Sequence, residues 1–298
     1  MSTNAPRLPI RRLWAIAAAI MAGAACANIG VVTGGIRAAA RPGPGPAAAA
    51  APQGAVTSPV PATTAAATTT PPPTVSRTLP FNAKLASSDI PVRGGGVRRG
   101  GCSGSLIAPE WIVTAGHCFH DLDGTAVSGK PDYHMTVTVG KLKDSDPGGH
   151  QAQVVDVRQA PASDLALAKL DTAITDVVPL TLPDRAPQVG ERLRFAGWGS
   201  HSATVSVPSE RLKHGEFSVA KLLRYTVEAL PVVPRTVENS PCPDDSGSPY
   251  FVSDDDRTGR LVAIENSGPP CPQPGTEILA RVDVLADWIR AQTGGTAR

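Results

Sequence analysis

The chain is 298 residues long, with 28 Lys and Arg against 26 Asp and Glu, a formal charge of +2. Such a balance excludes a nucleic-acid footprint or a strongly acidic partner as a reading of composition. Hydrophobic residues make up 41%, enough for a real core, although alanine-rich tracts near the front inflate the figure.

Residues 1–40 read as an export segment. Arg7, Arg11 and Arg12 precede an apolar run from Leu13 to about Ala27, and Ala25-Cys26-Ala27 and Ala38-Ala39-Ala40 each offer a small-x-small cleavage pattern. An uncleaved anchor is the competing reading, because the weakly apolar stretch continues through Ile29, Val31 and Val32, so a membrane tether through residues 13–32 stays open. A lipid-modified Cys26 ranks last. Every version puts the remainder outside the cytoplasm, either secreted or anchored at the extracytoplasmic face.

Residues 41–75 are Ala, Pro and Thr with almost no large apolar side chains. Such a segment cannot bury enough surface to offset its ordering entropy, so it reads as an extended, disordered linker. From residue 76 to 298 the texture changes, and this stretch reads as one folded domain. Short β-branched runs recur: Trp111-Ile-Val-Thr, Met135-Thr-Val-Thr-Val, Val154-Val-Asp-Val, Leu165-Ala-Leu-Ala-Lys-Leu and Leu261-Val-Ala-Ile. Turn-rich gaps such as Asp146-Pro147-Gly148-Gly149 and Asp184-Arg185-Ala186-Pro187 separate them. That spacing predicts an all-β barrel or sandwich rather than βαβ units. One amphipathic segment, Val284 to Gln292, predicts a closing helix with Leu285, Trp288 and Ile289 on one face. The arginines Arg93, Arg98 and Arg99 read as part of a solvated glycine-rich loop.

Apart from Cys26, four cysteines remain: Cys102, Cys118, Cys242 and Cys271. An even count in an exported chain suggests two disulfides, with three pairings open on arithmetic alone. No pair has the C-x-x-C spacing of a zinc or redox site, so neither metal nor cofactor is expected.

Three local patterns carry chemistry, in the order His, Asp, Ser. The first is Ser103-Gly104-Ser105-Leu106-Ile107, followed by Trp111 through Thr114 and Ala115-Gly116-His117-Cys118. The second is Asp164-Leu165-Ala166-Leu167-Ala168-Lys169-Leu170. The third is Cys242-Pro243-Asp244-Asp245-Ser246-Gly247-Ser248-Pro249, with Gly197-Trp198-Gly199 lying between the last two. A serine hydroxyl is a poor nucleophile near neutral pH and needs a base within hydrogen-bond reach. Histidine suits that task, with an unperturbed pKa of ~6.5, and a buried carboxylate fixes its tautomer and stabilises the imidazolium. The bland alternatives are a packed histidine, a turn aspartate and a loop serine. His120, His134, His150, His201 and His214 are all read as packed side chains.

Together these motifs resemble the trypsin-like (chymotrypsin-fold) serine endopeptidases from about Pro80 to Ile289. The resemblance implies two six-stranded antiparallel β-barrels packed together with a C-terminal helix. It implies His117 as base, Asp164 as orienting acid and Ser246 as nucleophile, with an oxyanion hole from the N–H groups of Asp244 and Ser246. It also pairs Cys102 with Cys118 and Cys242 with Cys271. A protein or peptide is the implied substrate, and the chain is expected to be a monomer.

The sequence departs from the family pattern at three places. Asp244 stands where the family has glycine, so its carboxylate could oppose a developing oxyanion unless it points away. Asp245 occupies the position that, in many family members, pairs with a newly cut Ile or Val amino terminus. No such start is evident upstream; Val92-Arg93-Gly94-Gly95 lies too close to Cys102, so Asp245 is expected to find another partner. In the substrate pocket, Ser240 is expected at the floor and Asn266-Ser267-Gly268 along the wall, a neutral pocket suited to an apolar or small side chain. Glu277 is expected to face solvent on strand alternation; the alternative, entry into the pocket, would bring basic specificity. Two further readings stay open: a catalytically impaired homologue serving as an extracellular binding module, and a mainly structural wall-associated protein.

Overall fold

The computed structural model describes residues 78–298. The export segment expected over residues 1–40 and the linker expected over 41–75 lie outside the described residues. Among the described residues, no helix is long and apolar enough to cross a membrane.

Among those residues, twelve strands build two closed barrels. The first contains β1 (Asn82–Pro91), β2 (Val97–Ala108), β3 (Trp111–Thr114), β4 (Thr136–Val139), β5 (His150–Gln159) and β6 (Ala166–Leu170). They close in the order β1-β2-β3-β6-β5-β4. The second contains β7 (Arg192–Gly197), β8 (Lys213–Leu222), β9 (Thr226–Pro231), β10 (Pro249–Val252), β11 (Arg260–Ser267) and β12 (Glu277–Arg281), closing as β10-β11-β12-β9-β8-β7. Every pairing between these strands is antiparallel. Closure pairs every edge and leaves each barrel one inward face to fill. The two-barrel architecture expected from the resemblance is the one observed.

The burial pattern explains which strands face the seam. β4 alternates buried and half-buried residues, as a strand with one wet face should. By contrast, β2 is buried without a break from Cys102 to Ala108, and β3 throughout. These strands are covered on both faces, which is why β2 is rich in Gly and Ser where other backbone must approach. Arg98 and Arg99 lie on β2 itself rather than in a loop.

Aromatic side chains fill the second barrel. Phe195, Phe217 and Tyr250 pack with ring centroids 5.2–6.0 Å apart, contacts that contribute ~0.5–1.5 kcal/mol each beyond area burial. Phe81, just before β1, meets Phe251 of β10 edge-on at 5.1 Å. Trp198 spans the seam, its indole N–H donating to Asn82 Oδ1 at 2.7 Å. At the end of the chain, a 3-10 turn (Asp283–Leu285) leads into α1 (Ala286–Gln292). Leu285 and Ile289 are buried as expected, with Trp288 partly so. Arg158 of β5 donates to the Gln292 carbonyl, which ties the helix back to the first barrel.

Candidate active site

His117 sits in a 3-10 turn, Gly116–Cys118, that follows β3 directly. Gly116 is required there, because a side chain would collide with Gln159 Oε1 and Asp164 Oδ1. Two devices hold the turn. Cys118 is disulfide-bonded to Cys102 of β2, and Gln159 Nε2 donates to the carbonyls of Gly116, Phe119 and Val127 at 3.0–3.2 Å. Asp164 ends the loop before β6. Its Oδ1 accepts the His117 backbone N–H at 2.7 Å, and its Oδ2 lies 2.7 Å from His117 Nδ1.

Burial is the largest influence on the Asp164 carboxyl and raises it. The hydrogen bond and charge of the His117 ring, with the N–H groups of His117 and Gly116, outweigh burial and hold it below its ordinary value. An ionised Asp164 can only accept, so Nδ1 carries the proton and the neutral ring keeps its Nε2 lone pair free. The carboxylate is nevertheless not buried as expected. Its side chain is 41% exposed and that of His117 44%, because Asp164 sits at the rim of the cleft between the barrels. From the second barrel, Asn266 Nδ2 reaches across to the Asp164 carbonyl at 2.9 Å.

Ser246 lies in the loop before β10, in the second barrel. It shares with His117 a cleft of about 230 Å³ that Cys102, Cys118, His120 and Asp244 also line. No direct hydrogen bond joins the hydroxyl to the imidazole; in substrate-free sites such contacts are often long and tighten on binding. Among the described residues, the backbone N–H groups of Asp244 and Ser246 donate to no protein acceptor. Asp244 has φ +73°, a left-handed conformation that glycine adopts freely and Asp tolerates. Its carboxylate is half-buried and turned onto Ser206. Both oxygens accept from Ser206 at 2.9 Å. Burial raises this carboxyl, against the Ser206 hydroxyl, the Gly101 N–H and the charges of Arg98 and Lys213.

The neighbouring pocket differs from the neutral one expected. It measures about 220 Å³ and is lined by Ser246, Asn266, Ser267, Gly268 and the Cys242–Cys271 disulfide, together with Glu265 and Glu277. Ser240 is fully buried, but it does not line the pocket; its hydroxyl bonds Asn239 Oδ1 at 3.0 Å. The turn before it is tied internally, Thr236 N–H to Asn239 Oδ1 at 2.8 Å and Asn239 Nδ2 to the Pro234 carbonyl at 3.1 Å.

Glu277 is fully buried rather than solvent-facing. The bulge between Glu265 and Ser267 puts its extra residue on β11, so the alternation of β12 is unbroken. Leu279 is fully buried in the core of the second barrel, and Glu277, two residues earlier on the same face, is buried with it. The carboxylate pairs with Arg235 Nη1 and lies against Gly268, where no side chain would fit. Arg235 stands behind Glu277 and is absent from the pocket wall. Glu265 accepts the Tyr250 hydroxyl at 2.8 Å. Burial pushes Glu277 up to about 7, opposed by the charge and hydrogen bond of Arg235 and by a hydrogen bond with Glu265. Burial, and then the charge on Glu277, raise Glu265 well above the carboxylate range.

Of the remaining histidines, His134 and His214 are exposed rather than packed, whereas His120, His150 and His201 are half-buried. His134 pairs with Asp89 at 2.7 Å, His150 with Asp176 at 2.8 Å and His201 with Glu238 at 2.9 Å. His214 is exposed, and His120 is half-buried at the cleft. Among the described residues, no group of three or more His, Cys, Asp or Glu side chains converges as a metal-holding set.

A carboxyl raised on folding binds its proton more tightly in the folded state than in the unfolded one. Stability is therefore lost as pH rises from about 4.5 through about 7. Relative to Glu277→Gln, the wild type should lose about 3 kcal/mol over that window, read from urea unfolding at pH 4.5 and pH 8. Parallel pH dependences in the two proteins would show that Glu277 does not titrate there.

With this geometry in place, comparisons with known proteins are consistent. The pattern of the family described as Trypsin matches residues 76–289. Relatives include human transmembrane protease serine 5, 29% identical over 63% of this chain and 45% of that protein, so the chain spans less than half of that relative. The thrombin-like enzyme acutobin of Deinagkistrodon acutus is 28% identical over 65% of this chain and 77% of its own length. The suppressor of tumorigenicity 14 protein homolog of Bos taurus is 28% identical over 65% of this chain and 25% of its own. The chain belongs to the trypsin family.

Proposed function

We propose that this chain is a serine endopeptidase that cleaves peptide bonds through an acyl-enzyme on Ser246. The observation that carries the reading is the 2.7 Å contact between His117 Nδ1 and Asp164 Oδ2, with Ser246 in the same cleft. His117 Nε2 takes the proton of Ser246 Oγ as the oxygen attacks the substrate carbonyl, and Asp164 stabilises the imidazolium that forms. The free N–H groups of Asp244 and Ser246 receive the negative charge on the carbonyl oxygen. The imidazolium then gives its proton to the departing amine, and water, deprotonated by the same imidazole, hydrolyses the ester. The Asp244 carboxylate turned onto Ser206 supports activity over the binding-module reading. Residues 1–40 as an export signal or anchor, with residues 41–75 as a tether or linker, would deliver the enzyme outside the cytoplasm. Two disulfides fit that compartment.

The substrate pocket supports a cationic side chain. Glu265 and Glu277 line it, and entry of Lys or Arg would replace the proton that burial favours on Glu277.

A fluorophosphonate should label Ser246, and Ser246→Ala should abolish labelling and lower peptide turnover by about 10⁶-fold; a folded Ser246→Ala variant that hydrolyses casein as fast as the wild type would end the proposal. Asp244→Gly should change kcat by less than about tenfold, well short of the ~10²–10³ attributed to one oxyanion donor. A hundredfold gain in that variant would identify the carboxylate as a brake. Among anilide substrates, those with Arg or Lys before the cleaved bond should be preferred over Leu increasingly as pH rises through about 7, and Glu277→Gln should flatten that rise. Equal rates for Arg and Leu substrates at pH 8 would return the pocket to a neutral reading.

A further inference from the structure

Asp245 stands between the two residues whose backbone N–H groups are free, and its carboxylate is 1% exposed. Lys213 Nζ, at the start of β8, lies 2.5 Å from Asp245 Oδ2 and is itself fully buried. The carboxylate has two further donors, the Gly199 N–H on Oδ1 at 2.7 Å and the Cys242 N–H on Oδ2 at 2.9 Å. The ammonium has two further acceptors, the carbonyls of Ser200 at 3.1 Å and Ser240 at 3.0 Å. An ammonium donates three hydrogen bonds, and all three are used.

The surroundings are shaped to this pair. Side chains on Gly197 or Gly199 would collide with the Asp245 carboxylate, which gives the Gly197-Trp198-Gly199 motif its physical reason. The backbone of Asp245 is held as well, its N–H by the Cys242 carbonyl and its carbonyl by the Ser248 N–H, each at 3.0 Å. Anchoring this one residue therefore orients the peptide units on both sides of it, those of Asp244 and Ser246.

We propose that Lys213 is a positioning residue, an internal counterion that holds the Asp244–Ser246 loop in its working conformation. The intact chain is then active without cleavage upstream of β1 and without a newly made α-amino group. The sequence shows no such start upstream of Cys102, and the ion pair supplies the partner that Asp245 was expected to find. This inference rests on the serine-endopeptidase reading, and the experiment separates the two.

The purified full chain, its amino terminus sequenced before and after reaction, is treated with a fluorophosphonate with and without prior limited proteolysis. Labelling of the uncut chain within threefold of the cut chain is expected. Labelling only after a cut upstream of Asn82 overturns the role of Lys213 and leaves the endopeptidase reading standing. No labelling in either state overturns both. As the variant test, Lys213→Met should lower kcat at least a hundredfold while KM stays within threefold, because the loop's N–H groups act on the developing oxyanion rather than on bound substrate. Should circular dichroism show Lys213→Met unfolded, Lys213→Met/Asp245→Asn, which leaves no buried charge in the pair, takes its place with the same expected kcat. A folded variant of either kind with wild-type kcat overturns the proposal.

Discussion

A backbone hydrogen bond across the seam, from the Ser103 N–H to the Ser246 carbonyl at 2.9 Å, ties the loop of Ser246 to the barrel of His117. Ser103 is the centre of a small web. Its hydroxyl donates to the Asp244 carbonyl at 3.3 Å and accepts the Trp198 N–H at 2.8 Å, while its own carbonyl accepts the Thr114 hydroxyl at 2.7 Å. Gly247 completes the contact; any side chain there would strike Thr114 and Ser103. Through this web the loop of the second barrel is set against strands β2 and β3 of the first, from which His117 follows within three residues. Since reacting groups must be placed to within about an ångström to gain from proximity, the seam determines the chemistry more than any individual side chain does.

The second barrel buries an unusual amount of charge beside this seam. Asp245 with Lys213 and Glu277 with Arg235 are each almost fully withdrawn from water, and Glu265 lies next to Glu277. Removing ions from water costs several kcal/mol each, and well-packed apolar side chains often replace such pairs without loss of stability. Their retention is therefore weak evidence for stability and better evidence for position. One pair fixes the loop that carries Ser246, and the other builds the wall of the adjoining pocket. Both lie where perturbed ionisation is most often put to use.

The disulfides belong to the same logic. Cys102–Cys118 clips the turn bearing His117 to the strand bearing Ser103, and Cys242–Cys271 joins the Ser246 loop to the pocket wall. Each closes its loop where a small displacement would separate the two barrels' contributions. A barrel is a rigid frame, but loops at its rim are the least constrained part of it, and the crosslinks act on those loops.

Local pattern and chemical type alone determined much of this. The β-branched runs at Trp111–Thr114 and Leu261–Ile264, the closing helix, the two cysteine pairs implied by the family resemblance, and the order of His117, Asp164 and Ser246 were all legible, because each is a property of a few neighbouring residues or of a motif that repeats as a unit. What stayed hidden depends on register and on contacts between distant segments. Glu277 came to lie inward against Arg235, Ser240 is fully buried outside the pocket lining, and Asp164 is half exposed. Lys213, 32 residues before Asp245, carries no local signal at all. Its partner was decided only when β8 closed against the Ser246 loop, since a buried charge takes whichever opposite charge the fold brings within reach.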